Sequence, residues 1–190
     1  MPIDIAEELD TRKLQKSDRF RRVKALTALE NLHIVNCPSI RQSVEPLLTE
    51  IEGVGMSKLI YLTIDDTQLL KMQFFKNGLH SLQRVKVCSS KESRMFDDEA
   101  MQEVMKSLRS LKGLCLQSCT ALQSIHTVLH LLPCLETLSI SDCPFLHSLP
   151  SLLPPSIRQL QVAHCDEKLM TQLDKYKEML RPFDTSFTDF

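Results

Sequence analysis

Aliphatic residues recur along this chain in one short phrase, L-x-x-L-x-L-x-x-C, with Ile or Val replacing Leu at some positions. Four copies keep the closing cysteine: Leu29 to Cys37, Leu111 to Cys119, Leu135 to Cys143 and Ile157 to Cys165. Two degenerate copies, Leu59 to Thr67 and Leu82 to Ser90, fill the gap between the first and second of these. Repeats therefore begin at residues 29, 59, 82, 111, 135 and 157. The fourth and sixth positions of each phrase alternate with polar ones, the period-two signal of a half-buried strand. They are the pairs Leu32/Ile34, Leu62/Ile64, Val85/Val87, Leu114/Leu116, Leu138/Ile140 and Leu160/Val162. Each side chain is expected inside, where full burial stabilises by roughly 1.5–3 kcal/mol.

Between the strands the period changes. Residues 40, 44, 47, 48 and 51 form an apolar stripe at helical spacing, and so do Ala100, Met101, Val104, Met105 and Leu108. The second stripe follows Asp97, Asp98 and Glu99, acids placed where a helix dipole favours them. Ile125 to Leu132 reads as one or two helical turns stopped by Pro133, whereas Leu146 to Pro155 carries Pro150, Pro154 and Pro155 and should run extended. Ile40, Leu70, Leu122, Leu146 and Leu169 close the turn after the ninth position, and the polar run Ser90 to Ser93 leaves the third repeat without one.

A phrase of this kind at intervals of 22 to 30 residues is the mark of a leucine-rich repeat, where each unit lays one strand beside the last. The expected fold is α/β: a leucine-rich-repeat solenoid with a curved parallel sheet and helices and irregular segments on its convex side. Residues 1–25 would form an N-terminal flank or weak cap and residues 26–165 about six repeats. Residues 166–190 would supply a capping helix, with Leu169, Met170, Leu173, Tyr176 and Leu180 on its apolar side, and a tail.

Composition narrows the setting. The formal net charge of −1 gives no overall pull toward nucleic acid or acidic lipid. A short basic cluster, Arg19 to Lys24, reads as a solvated face before the first strand. The first 25 residues lack the apolar core of a secretory signal, no stretch is long enough to span a bilayer, and no N-x-S/T acceptor occurs. Cys37, Cys119, Cys143 and Cys165 fall on the ninth position of the phrase, as structural thiols would in a reducing compartment. The expectation is a cytoplasmic protein without membrane insertion.

The phrase also carries a family resemblance. Leu26 to Ile40, Leu135 to Pro150 with its I-x-x-C-P-x-L-x-x-L-P cadence, and Leu152 to Val162 with its P-x-S-I-x-x-L-x-V run resemble the carboxy-terminal repeats of plant disease-resistance proteins of the nucleotide-binding, leucine-rich-repeat class. The likeness extends over residues 26–165 and is strongest over 111–165. It implies a sensor domain of an intracellular immune receptor, binding a pathogen effector, a guarded host protein or the receptor's own switch domain. No G-x-x-x-x-G-K-[ST] phosphate loop is present, so nucleotide exchange and signalling are not carried over. Repeats with Cys at the ninth position also resemble F-box leucine-rich proteins, substrate adaptors of ubiquitin ligases, although residues 1–25 show no F-box-like module.

Catalytic, cofactor and metal motifs are missing. His126 and His130 share a helical face, but Thr127 stands where a zinc-binding H-E-x-x-H needs Glu, and no C-x-x-C pair occurs. No G-x-S-x-G elbow supports a nucleophile. A binding protein, not an enzyme, is expected, with no cofactor and no nucleic-acid partner. Its candidate site is the concave face of the sheet, where Tyr61, Arg84 and Lys86 are the favoured anchors for a protein partner. His33, Thr63, Asp65, Cys115, Gln117, Ser139 and Gln161 complete the candidate set.

Overall fold

The computed structural model describes residues 28–37, 56–76, 78–91, 96 and 98–177. Expectations for residues 1–25, the stripe over 40–51 and the tail from 178 onward lie outside the described residues. Each of the six phrases forms one strand: β1 (Asn31–Ile34), β2 (Tyr61–Ile64), β3 (Arg84–Cys88), β4 (Gly113–Gln117), β5 (Thr137–Ser141) and β6 (Gln159–Ala163). They make a single parallel sheet in the order β1-β2-β3-β4-β5-β6. The chain is thus of the α/β class.

Register follows the phrase without slip. Leu32, Leu62, Val85, Leu114, Leu138 and Leu160 stand side by side across the sheet, and so do Ile34, Ile64, Val87, Leu116, Ile140 and Val162. A one-residue shift in any pair would turn aliphatic side chains to the polar side, which is why alternation specifies the pairing. All of these residues are buried except Val162, which sits on the last strand with one neighbour and is half-covered. The first residues of the phrases, Leu59, Leu82, Leu111 and Leu135, extend the same core.

The described parts of the returns after β2, β3, β4 and β5 carry further core residues. After β2, Asp66 accepts a hydrogen bond from the Gln68 N–H at 2.9 Å and opens a 3₁₀ helix over Thr67–Lys71, followed by the short helix α1 (Gln73–Lys76). Neither turn was foreseen from the sequence, because Asp66 begins helical backbone where the other repeats bend differently. Phe75, Met56 and Leu79 close the core beneath it. Gly78 is required there: a Cβ would lie 2.3 Å from the Met56 carbonyl oxygen.

Helix α2 (Glu99–Ser107) realises the stripe at Met101, Val104 and Met105. Asp98 caps it, accepting the Met101 N–H at 2.8 Å and the Lys71 ammonium at 2.6 Å, so α2 is tied to the preceding return. Lys71 and these N–H donors hold the Asp98 carboxyl below its ordinary range. Helix α3 (His126–His130) is the brief turn expected before Pro133, and 146–155 holds neither helix nor strand. Helix α4 (Glu167–Lys177) packs beside β6 with Leu169 fully buried, and the Tyr176 hydroxyl donates to the Pro150 carbonyl at 2.6 Å.

A second row of identity runs along the strand ends. Asn36, Ser89, Ser118, Asp142 and His164, all at the eighth position, have φ between 50 and 59°. Left-handed backbone is uncommon outside glycine, and Asn, Asp and His are enriched among the exceptions. This bend brings each following thiol back over its own strand. Cys37, Cys119, Cys143 and Cys165 donate to the carbonyls of Val35, Gln117, Ser141 and Ala163 at 3.3–3.6 Å. The thiols of Cys119 and Cys143 also reach the Val87 and Leu116 carbonyls of the preceding strand at 3.7 Å. Contact with Cys143, then burial, pushes the Cys119 thiol up and keeps it protonated. All seven cysteines are free thiols.

Candidate recognition face

The side chains at the third, fifth and seventh positions leave the sheet on the side opposite the core, because successive residues of a strand alternate. Parallel register turns them into three rows. The central row is His33, Thr63, Lys86, Cys115, Ser139 and Gln161. Tyr61 and Arg84 are direct neighbours in the row before it, and Asp65 and Gln117 stand in the row after it. All ten candidate residues therefore share one face.

Tyr61 and Arg84 are coupled. The guanidinium carbon lies 5.3 Å from the centre of the Tyr61 ring, which remains 39 % exposed. A cation over an aromatic face contributes about 0.5–1 kcal/mol at a site this open and holds both side chains in one orientation. Lys86 follows Arg84 by two residues, half-buried on the same face. Asp65 is turned toward β1, where its Oδ2 accepts the Asn36 N–H at 2.7 Å.

The other end of the face is held by neutral polar pairs. Thr137 donates to the Gln159 side-chain carbonyl at 3.2 Å, and Ser139 to that of Gln161 at 3.3 Å. These bonds run across β5 and β6 in register, the sheet's usual unit of side-chain stabilisation. Gln117 is half-buried beside Ser141.

Cys115 departs from the expectation of an accessible contact. It lies on the face but is only 6 % exposed, since its short side chain sits below the longer Lys86 on one side and Ser139 on the other. Burial raises its thiol despite the nearby Lys86 charge. Cys88, further along β3, is raised by burial and then by the Asp65 carboxylate. Neither thiol is activated as a nucleophile.

Sequence reasoning placed the anchors on adjacent strands but missed the Tyr61–Arg84 stack, the Asp65–Asn36 bond and the hydroxyl–amide pairs. Each depends on two residues brought level by register. The left-handed row had a signal, the recurrence of small polar or His residues just before the ninth position.

His126 and His130 occupy the two ends of α3 and are exposed, with His126 Nε2 3.5 Å from the Ser148 hydroxyl. Among the described residues, no group of three or more His, Cys, Asp and Glu side chains is placed to hold a metal ion. No helix among them is long and apolar enough to cross a membrane. No protein-family model, no curated protein and no solved structure matches the chain.

Proposed function

We propose that this chain is a leucine-rich-repeat solenoid that binds a protein partner on the face carrying Tyr61, Arg84 and Lys86. In this reading it is the sensor part of an intracellular plant immune receptor, recognising a pathogen effector or a guarded host protein and performing no catalysis. One observation carries it: six copies of a phrase that resembles that family lie in unbroken register, so their variable residues line up in rows on one face. The invariant positions make the core and the variable ones face outward, a division that suits recognition. The stacked Tyr–Arg pair adds the residue types enriched at interface hot spots, already ordered before binding.

The test is site-specific photocrosslinking. A benzophenone amino acid at Thr63 or Gln161 should give a discrete protein adduct in plant cell extract, suppressed by excess unlabelled chain. The same group at Glu103, exposed on α2, should give none. The Tyr61→Ala/Arg84→Ala double variant should keep its circular dichroism and thermal midpoint within a few degrees yet fail to compete. Adducts arising at Glu103 alone, or undiminished competition by the variant, would overturn the assignment.

A further inference from the structure

Resting on that recognition reading, we propose that the β2–β3 end of the face takes an acidic segment of the partner protein. An Asp or Glu side chain would dock across Arg84 and Lys86, with the Tyr61 ring beneath its neighbours.

The outward rows hold eighteen positions, of which Arg84 and Lys86 are cationic and Asp65 alone is acidic. Arg84 and Lys86 are two residues apart on one strand, so their Cα atoms are about 6.6 Å from each other on the same face. One carboxylate is within reach of both. Both cations are half-buried, which strengthens their field relative to charges fully in water.

Asp65 Oδ2 accepts the Asn36 N–H at the β1 side, and Lys86 makes no ion pair among the described residues. Arg84 is held over Tyr61, so its position is set before any partner arrives. At the other end, the hydroxyls of Thr137 and Ser139 are already bonded to Gln159 and Gln161. The charge that distinguishes one partner from another is therefore concentrated on β3.

A protein segment fits better than a phosphate lattice. Double-stranded nucleic acid presents a charge about every 1.7 Å, and a long basic track is what matches it. Here the outward rows hold two cations and one acid, Asp65, on a chain of net charge −1. Two cations match one or two carboxylates and are too few to track an extended polyanion.

The experiment uses the purified chain and a fluorescein-labelled dodecapeptide of alternating Glu and Ser, with a Gln-for-Glu peptide as control. Anisotropy titration should show the Glu peptide binding at least tenfold more tightly than the Gln peptide. Raising NaCl from 50 to 200 mM should weaken it several-fold. Lys86→Glu should lose tenfold or more, Lys86→Arg should retain binding within threefold, and Thr127→Ala, exposed on α3 and outside the outward rows, should stay within twofold. Equal binding of the two peptides, or no loss in a folded Lys86→Glu variant, overturns the proposal. Tighter binding of oligo(dT) or phosphatidylserine vesicles than of the Glu peptide does so as well. If the peptide fails while crosslinking from Thr63 and Gln161 persists, the recognition face stands and only its acidic preference falls. Loss of both removes both.

Discussion

The two ends of the sheet repeat one backbone plan and carry different chemistry. Across β4, β5 and β6 the plan is regular. Ser118, Asp142 and His164 bend left-handed, and the Ser118 and Asp142 N–H groups reach the next strand's last carbonyl at 2.9 and 3.1 Å. The thiols of Cys119, Cys143 and Cys165 then stack beneath, while the outer face is neutral. Across β1, β2 and β3 the plan is broken in the middle repeat. Asp66 has φ −119° and opens a 3₁₀ helix, buried Thr67 and Ser90 replace the thiol, and the Asp65 carboxylate stands in for a backbone carbonyl toward Asn36. That same end holds Tyr61, Arg84 and Lys86. The lesson is that the core tolerates local departures as long as the aliphatic rungs stay level, and such departures leave the outward positions of those strands free to diversify.

The sharpest way to break this comparison is to ask whether both ends share one core. Leu62 and Leu138 are each almost fully buried at the same position of their phrases. Replacing either by Ala removes about 2–5 kcal/mol of stability. Urea unfolding should give similar losses for the two variants and a single transition in each. A loss confined to one, or two separated transitions, would mean that the ends unfold as independent units.

Exchange at the ninth position has a smaller effect. Cys143→Ser places a smaller, more polar group at a fully buried position where the thiol reaches the Ser141 and Leu116 carbonyls at 3.3 and 3.7 Å, and should cost about 1–2 kcal/mol. Ser90→Cys restores the thiol where the repeat departs from it, and its expected cost is under about 1 kcal/mol because volume and partner geometry are nearly kept. Thermal melts of the reduced proteins read the difference. If Ser90→Cys is the more damaging of the two, the hydroxyl at that site is required for a hydrogen bond of its own.

Glycine substitution at the eighth position should give the smallest effect and change its sign between the ends. At Ser118, with φ 53°, Gly relieves a conformation that L residues resist and should be neutral or stabilise by up to about 1 kcal/mol. At Asp66 there is no such strain to relieve, and Gly deletes the side chain that caps the 3₁₀ helix, so a loss of a few tenths of a kcal/mol is expected. Equal effects at both positions would show that the backbone difference between the repeats has no energetic weight.

Much of this was readable in order of residues. The alternation at Leu32/Ile34 and its five counterparts marked the strands, their inward side and their register. The stripe from Met101 to Met105 and the acids before it marked α2, although the capping residue is Asp98 and not the whole acidic run. The 3₁₀ helix after β2 was illegible because Thr67–Lys71 has no period long enough to distinguish it from the turns of other repeats. Parity alone assigns Cys115 to the face, and parity does not report that a short side chain between Lys86 and Ser139 is almost covered.

Local patterning settled which residues are inside, because alternation and helical spacing act over a few bonds and need no distant partner. The tertiary structure decided which outward residues meet. Tyr61 and Arg84 are 23 positions apart in sequence, and Asn36 and Asp65 are 29 apart. Only the lateral pairing of strands brings such residues within ångströms, and their charge, stacking and hydrogen bonding arise from that proximity.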